Sequence, residues 1–367
     1  YLEAVLACRL DPALLQNAPA GLSVVYTPLH GTGYRLVPEA LRRAGFRRLY
    51  PVESQMIPDG DFPTVASPNP ENKACFAEAE ARIAQEHLDC SMIVATDPDA
   101  DRVGLSVRDG EGSFFPLSGN QIGALLIDYI INIRKKTGNL PANACAVKSV
   151  VSGKLFDAIC ERAGVAHCSV LTGFKYIGEK IKEWSADGSH TFIFGYEESQ
   201  GYLTAGYARD KDAVAASLLI AEMAAYHASQ GRTLCDALQS LYRDYGYYRE
   251  RVVSVSIGGI DPMAVMSEKM AALRSAGPRS LGARAVARVR DYKTGVITDA
   301  NGNTSPTGLP ESDMLYFELE DGSDVIVRPS GTEPKIKIYL LTKGADAKEA
   351  EENLRALEDA ASALLQA

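Results

Sequence analysis

The sequence lacks the features that would indicate a membrane, an oxidising compartment or nucleic acid. No apolar run reaches the roughly 20 residues that a membrane-spanning helix needs. The seven cysteines include no Cys-x-x-Cys pair, which predicts free thiols in a reducing cytoplasm rather than disulfides or a zinc knuckle. The formal net charge of -9 argues against nucleic acid or an anionic membrane as a partner. An anionic substrate stays possible, because a local basic pocket can lie on an acidic protein.

What the sequence does contain is typical of a globular protein with two or three domains. It has 367 residues, of which 46% are hydrophobic and 23% are charged. Strand-like and helical patterns alternate as far as residue 248, which predicts two related α/β domains with mostly parallel sheets. Strand patterns then dominate and a helix closes the chain, which predicts a C-terminal α+β domain. The clearest predicted elements are strands at 22–26, 91–95, 144–151 and 191–194 and helices at 119–134 and 212–229.

A short acidic loop follows the predicted strand at 91–95. Asp97, Asp99 and Asp101 occupy every second position, and three carboxylates this close repel one another unless a cation neutralises them. An EF-hand loop begins in the same way, but its sixth and twelfth positions are here Arg102 and Arg108. The pattern predicts Mg²⁺ held by the three aspartates, with Arg102 beside it to hold a phosphate. The alternative is a solvated acidic turn.

A second polar loop, Gly195–Gly201, follows the predicted strand at 191–194. Loops at the carboxyl ends of parallel strands carry ligand sites in α/β proteins. The side chains of Glu197 and Ser199 can exchange hydrogen bonds with sugar hydroxyls, although a polar turn without function is the alternative. Lys211 follows shortly after and is a candidate phosphate ligand or proton donor, with a surface lysine as the alternative.

A third loop joins two predicted strands near the C-terminus. Arg328 offers a bidentate fork for phosphate, and Ser330 and Thr332 offer hydroxyl groups. Gly331 between them lets backbone N–H groups approach an oxyanion. The loop lacks the Gly-Lys-Ser/Thr ending of a Walker A motif. It therefore predicts a phosphate site of another type, and an ordinary hairpin connection is the alternative.

These three loops, in this order, resemble those of the α-D-phosphohexomutase family, which includes phosphoglucomutases and phosphomannomutases. Leu171–Tyr176 resembles the family loop that faces the substrate in the third domain. Thr27–Gly33 and Phe62–Glu71 resemble the phosphoglucomutase-type branch. The resemblance implies that the chain comprises the family's second, third and fourth domains. We expect these at residues 1–138 (metal loop), 139–248 (sugar loop) and 249–367 (phosphate loop).

The resemblance also implies a reaction and a set of site residues. The family converts hexose 1-phosphate to hexose 6-phosphate through a bisphosphate intermediate and an enzyme phosphoserine. It implies Mg²⁺ as cofactor, glucose 1,6-bisphosphate as activator and a hexose phosphate as substrate. The implied metal ligands are Asp97, Asp99 and Asp101, and the implied catalytic residues are Arg102 and Lys211. The implied substrate-binding residues are Thr172, Gly173, Glu197, Ser199, Arg328, Ser330, Gly331 and Thr332.

The sequence departs from the family pattern at the phosphoserine. The family carries this residue in a segment resembling Thr-Ala-Ser-His-Asn-Pro, and the nearest string here, Ala66–Pro70, has Pro68 in place of histidine. We therefore expect the family's first domain, with its nucleophile, to be absent from this chain, and the chain alone to be inactive. The general acid or base stays open between Lys211 and His30.

Phosphoglucomutase is the favoured activity among several that fit the loops. A phosphomannomutase, a phosphopentomutase or a bisphosphate synthase would use the same residues. A non-catalytic sugar-phosphate-binding protein is the alternative from another functional class.

Overall fold

The computed structural model describes residues 1–258, 260–331 and 333–365. The chain forms two compact units, Tyr1–Leu241 and Tyr242–Ala367. The first unit contains two sheets with their helices, and the second contains one larger sheet with two helices. No helix in the described part of the chain combines the length and apolar character needed to cross a bilayer.

The first sheet of the first unit has the strand order β2-β1-β3-β4-β5. Its strands are β1 (Val24–Thr27), β2 (Leu49–Pro51), β3 (Met92–Thr96), β4 (Val103–Arg108) and β5 (Phe114–Pro116). The first three strands pair in parallel, and β4 and β5 extend the sheet in antiparallel register. The helices of this part of the chain are α1 (Leu2–Leu6), α2 (Pro12–Gln16), α3 (Gly33–Arg43), α4 (Ala77–Glu86) and α5 (Gly119–Lys136).

The second sheet of this unit has the strand order β7-β6-β8-β9. Its strands are β6 (Ala144–Ser149), β7 (Ala166–Val170), β8 (Thr191–Glu197) and β9 (Gly201–Leu203). Strands β7, β6 and β8 pair in parallel, and only β9 is antiparallel. The helices that follow are α6 (Leu155–Ala163), α7 (Phe174–Asp187), α8 (Ala213–Ala228) and α9 (Leu234–Tyr245).

The second unit is an antiparallel sheet with the main strand order β10-β17-β16-β15-β12-β13-β14, and β11 pairs with β12. Its strands are β10 (Tyr247–Ser256), β11 (Ser280–Leu281), β12 (Arg284–Asp291), β13 (Val296–Asp299), β14 (Thr304–Pro306), β15 (Leu315–Leu319), β16 (Asp324–Pro329) and β17 (Lys335–Gly344). Helices α10 (Pro262–Ser275) and α11 (Ala347–Ser362) contribute Met270 and Leu357 to the same apolar core as Phe317 and Ile338.

The predicted fold class is confirmed, because two sheets with parallel centres are followed by an antiparallel sheet with helices. In the first unit the parallel strands β1, β3, β7 and β8 end in loops that contain the polar or glycine-containing motifs of the sequence. Carboxyl ends of parallel strands face the same way in one sheet. The division into three domains near residues 138 and 248 stays a prediction.

The last turn of helix α8 contains a buried histidine that should make the fold sensitive to acid. His227 is 5% exposed, and burial, with Arg232 adding to it, lowers its pKa to about 4. In the unfolded chain the group titrates near 6.5. Between these two pH values the unfolded chain binds a proton on His227 that the native protein does not bind. The free energy of unfolding therefore falls as the pH drops from about 6.5 to about 4.

We expect His227 to account for about 3 kcal/mol of lost stability between pH 7 and pH 4. Urea unfolding at pH 7, 5.5 and 4 should give a shallower acid loss for His227→Phe than for the unchanged protein. Equal losses in the two proteins would contradict this prediction.

Candidate functional site

The acidic loop Asp97–Arg102 follows β3 and is folded around one of its own carboxylates. Oδ1 of Asp97 accepts hydrogen bonds from the backbone N–H groups of Asp101 (3.0 Å) and Arg102 (2.9 Å). Ala100 adopts a left-handed conformation with φ of 58°, which closes the turn. One oxygen each of Asp97, Asp99 and Asp101 then lies within 4.8 Å of the others.

The electrostatics of this loop fit a divalent cation. Burial raises the pKa of Asp97 to about 7, and the charges of Asp101 and Asp99 add to the rise. Oδ1 of Asp101 is buried without a hydrogen-bond partner among the described residues. A hard cation bound through oxygen would compensate both features, and carboxylate oxygens are the ligands that Mg²⁺ prefers. The three predicted ligands are thus brought together in a geometry that suits the predicted metal.

Two cationic side chains flank the acidic loop. Arg102 has its Nε 3.8 Å from Oδ2 of Asp97 and 3.6 Å from Oδ1 of Asp101. Lys211 reaches the loop from 110 positions further along the chain, with Nζ 3.0 Å from Oδ2 of Asp101. Burial opposes the charge on Lys211, but Asp101 and Asp210 outweigh it and raise the pKa of its ammonium group. Lys211 is therefore held protonated, as a phosphate ligand or proton donor must be.

Glu197 ends β8 and lies against the start of α7. Its Oε1 accepts a hydrogen bond of 2.7 Å from the backbone N–H of Gly173, and burial raises the pKa of the carboxyl group. Gly173 has φ of 120°, a conformation that glycine adopts without strain. The hydroxyl oxygen of neighbouring Thr172 is buried without a hydrogen-bond partner among the described residues. The predicted residues Thr172, Gly173 and Glu197 therefore form one polar cluster.

The side chain of Glu198 belongs to a different hydrogen-bond network from that of Glu197. Its Oε2 accepts a 2.9 Å hydrogen bond from the hydroxyl of Ser149, which ends β6. The Ser149 hydroxyl also lies 2.8 Å from that of Ser152. Lys148 next to it is buried and donates to the carbonyl of Ser152 (3.1 Å) and to Asp157 (2.6 Å). This hydrogen-bond network could not be predicted from the sequence, because its members come from separate strands and helices.

The acidic loop and the loop Gly195–Gly201 are joined directly. The backbone N–H of Val103 donates a 3.1 Å hydrogen bond to the carbonyl of Gln200, and Arg102 forms an isolated bridge with Gly201. A side chain at Gly201 would collide with Lys211, because a Cβ there would lie 2.2 Å from Cδ of the lysine. Ser199 lies half-buried in the same loop. The first unit therefore brings together the acidic loop, the loop Gly195–Gly201 and Lys211, which the sequence predicts as parts of one site.

His30 is not placed as a proton donor for this group of residues would be. Its side chain is 4% exposed, and its two ring nitrogens lie 3.1 Å from the carbonyl of Ile57 and 2.9 Å from the hydroxyl of Thr64. Both nitrogens are thus engaged with neighbouring protein groups, so Lys211 is the better-placed of the two sequence candidates.

The predicted phosphate loop of the second unit is the hairpin between β16 and β17. Arg328 pairs across the ladder with Lys337, so that two cations stand side by side on one face. The backbone N–H of Ser330 donates to the carbonyl of Lys335 at 2.8 Å. A Cβ on Gly331 would meet nothing within 4 Å, so this backbone is open to a ligand. Thr332 lies outside the described residues.

Models of the phosphoglucomutase/phosphomannomutase family match the chain in three successive parts. Residues 1–110 match alpha/beta/alpha domain II, residues 118–245 match alpha/beta/alpha domain III, and residues 278–359 match the C-terminal domain. The order of the three matches is the order in which the acidic loop, the sugar loop and the phosphate loop follow one another.

Individual relatives agree with the family models. A phosphoglucomutase of Staphylococcus epidermidis is 39% identical over 320 residues, which cover 87% of this chain and 57% of the relative. The chain thus spans less than two thirds of the length of this relative. The crystal structure of the Paramecium phosphoprotein pp63/parafusin, a phosphoglucomutase in its open form, has a TM-score of 0.70 at 17% identity and matches 99% of this chain and 61% of its own.

A second similar structure was determined with a ligand. It is a serine-to-alanine variant of the Aspergillus fumigatus N-acetylphosphoglucosamine mutase in complex with glucose 1,6-bisphosphate. Its TM-score is 0.54 at 14% identity, over 98% of this chain and 63% of that one. At these identities the two structures support the fold alone.

Proposed function

The chain belongs to the phosphoglucomutase/phosphomannomutase family, and on this premise we propose that it forms the metal-, sugar- and phosphate-binding parts of a phosphohexomutase. The observation that carries the proposal is the contact of Lys211 with Asp101 at 3.0 Å, which brings a cation that packs against Gly201 of the sugar loop onto the acidic loop. A solvated acidic turn would not need a half-buried cation from another part of the chain. We propose residues 1–138, 139–248 and 249–367 as its three domains.

The proposed reaction interconverts glucose 1-phosphate and glucose 6-phosphate through a bisphosphate and a phosphoserine. Asp97, Asp99 and Asp101 would hold Mg²⁺, which would neutralise charge on the transferring phosphoryl group. Arg102 lies beside these aspartates, where its guanidinium can bind a phosphoryl oxygen. Lys211 is protonated and can donate a proton to an oxygen bound beside it.

The remaining site residues would orient the sugar. Glu197 has one carboxylate oxygen fixed by the Gly173 N–H and offers the other to the sugar hydroxyls, with Ser199 and Thr172 alongside. A hydroxyl group of the sugar would supply the partner that the buried Thr172 oxygen lacks among the described residues. This arrangement favours a hexose phosphate as the substrate, and glucose 1,6-bisphosphate as the activator and intermediate.

Arg328, Ser330, Gly331 and Thr332 would bind the phosphate that does not react. Like charges directly opposite in a sheet destabilise it, and an anion bound at Arg328 and Lys337 would relieve their repulsion. We further propose that these 367 residues alone do not complete turnover, because the family's phosphoserine segment is not among them.

Arg328→Ala should weaken the binding of glucose 1-phosphate by about 10- to 100-fold, because charge-assisted hydrogen bonds to a phosphate are lost. Isothermal titration calorimetry in the presence of Mg²⁺ measures the effect. The matched control is Arg355→Ala on α11, whose side chain is 72% exposed and which should leave binding unchanged.

Equal binding by the two variants would contradict the phosphate role of Arg328. A protein that binds neither glucose 1-phosphate nor mannose 1-phosphate would contradict the proposed function as a whole. Comparison of the two sugars in the same titration tests the preference for glucose.

A further inference from the structure

The segment Pro28–Gly33, here called the Pro28–Gly33 turn, has no part in the proposed function. It nevertheless forms hydrogen bonds with the acidic loop. It connects β1 to α3. The backbone N–H and the hydroxyl of Thr32 both donate to the carbonyl oxygen of Pro98, at 2.7 and 3.1 Å. Pro98 lies between Asp97 and Asp99. A displacement of this carbonyl would therefore move two of the proposed metal ligands.

The hydroxyl of Thr32 makes this contact instead of its usual one. Thr32 is the N-cap residue of α3, and a threonine in this position normally accepts a hydrogen bond from the first turn of its helix. No such side-chain bond is present at Thr32. The hydroxyl is directed to the acidic loop, so its removal should affect that loop rather than the helix.

Close packing at two glycines brings the turn against the acidic loop and the strand before it. A Cβ built on Gly31 would lie 2.3 Å from the Cα of Pro98, a distance that no side chain could occupy. A Cβ on Gly33 would lie 2.5 Å from the hydroxyl of Tyr26 and 2.6 Å from that of Thr96, the residue that precedes the acidic loop. The glycines of this motif are thus explained by contact with the acidic loop and its strand.

The turn is held in an unfavourable backbone conformation by the hydrogen bonds of His30. Leu29 and His30 are consecutive non-glycine residues with φ of 48° and 61°. The backbone N–H of His30 donates to the carbonyl of Gln55 at 3.1 Å, and the ring contacts Ile57 and Thr64. Strained backbone that is over-determined in this way is typical of functional sites.

We infer that the Pro28–Gly33 turn positions the acidic loop for metal binding, with Thr32 and Gly31 as the positioning residues. His30 serves the same purpose by fixing the backbone of the turn. The inference rests on the proposed metal site, and it assigns to this motif a role in holding Asp97 and Asp99 at their mutual distance.

Mg²⁺ affinity of the 367-residue chain, measured by isothermal titration calorimetry, tests the role of Thr32. Thr32→Val keeps the shape of the side chain but loses the hydroxyl donor, and we expect about fivefold weaker binding, the effect of one ordinary hydrogen bond. Thr32→Ser keeps the hydroxyl and should restore the affinity of the unchanged chain. The thermal unfolding temperature without Mg²⁺ should fall by no more than about a few degrees in Thr32→Val, because only one exposed hydrogen bond is lost and the hydroxyl caps no helix.

Gly31→Ala tests the close approach to Pro98. The added methyl group must displace the acidic loop, and we expect Mg²⁺ affinity to fall about tenfold or more. Gly110→Ala is the matched control, because a Cβ at Gly110 would meet nothing within 4 Å. Circular dichroism verifies that each variant is folded, and if Gly31→Ala is not, the comparison of Thr32→Val with Thr32→Ser decides.

Three outcomes are distinct. Equal Mg²⁺ affinity in Thr32→Val, Thr32→Ser and the unchanged chain would overturn the positioning role. If Asp99→Asn weakens binding while Thr32→Val and Gly31→Ala do not, the metal site stands and the inference fails. If the unchanged chain binds no Mg²⁺, the proposed metal site fails and the inference fails with it.

Discussion

Asp99→Asn should weaken Mg²⁺ binding by about 100-fold or more, since even the loss of a residue that only supports a metal ligand costs 10- to 100-fold. Asp99 is the exposed member of the three aspartates, so its replacement leaves the buried core unchanged. Asparagine keeps the size of the side chain but removes one of three negative charges from the loop. Affinity for hard divalent cations depends strongly on that number. Calorimetric titration of the 367-residue chain with Mg²⁺ measures the change.

Asp61→Asn provides the matched control for this charge change. Asp61 is exposed in another loop of the first unit, and we expect its replacement to leave Mg²⁺ affinity unaltered. If the two variants bind Mg²⁺ equally well, the three aspartates do not form the metal site.

Gly119→Ala should disrupt the proposed site at the sugar loop, whereas Asp99→Asn affects the acidic loop. Gly119 begins α5 behind the N-cap residue Ser118, and a Cβ there would lie 1.9 Å from the carbonyl oxygen of Glu198. Either the helix or the loop must move. Overpacking of this kind costs about 1–3 kcal/mol of stability. Because Glu197 precedes the displaced carbonyl, we also expect at least tenfold weaker binding of glucose 1-phosphate.

Urea unfolding and calorimetric titration together test this expectation. Gly21→Ala is the control, since a Cβ at Gly21 would have no neighbour within 4 Å and both glycines lack a positive φ. A Gly119→Ala protein with the stability and ligand affinity of the Gly21→Ala protein would show that the loop tolerates the added methyl group.

Local patterns were sufficient to predict much of the fold. The predicted helix at 119–134 is observed at Gly119–Lys136, and the predicted strand at 91–95 at Met92–Thr96. Both elements are strongly apolar and are bounded by polar residues, so their own periodicity defines them. Helix α10 was not predicted, because its buried face is carried by few residues, among them Met266 and Met270.

The site was predicted in its parts but not in its assembly. The spacing of the neighbouring carboxylates of Asp97, Asp99 and Asp101 is sufficient to predict a cation site from the sequence alone. Lys211 and Glu197 were candidates only by residue type and resemblance, and their contacts lie with elements far along the chain. The role of Thr32 was missed, although the glycine-rich motif around it was noticed, because nothing in the motif indicates Pro98 as its partner.

The sequence by itself determined which chemical groups are present, their order along the chain and the fold class that carries them. These properties follow from composition, from hydrophobic periodicity and from turns of a few residues, all of which act locally. The tertiary structure alone decided that Lys211 meets Asp101, that Glu198 turns to Ser149 while Glu197 meets Gly173, and that Thr32 holds Pro98. The physical reason is that such contacts depend on how strands pair and helices pack, and residues distant in the chain acquire neighbours only when the whole core forms.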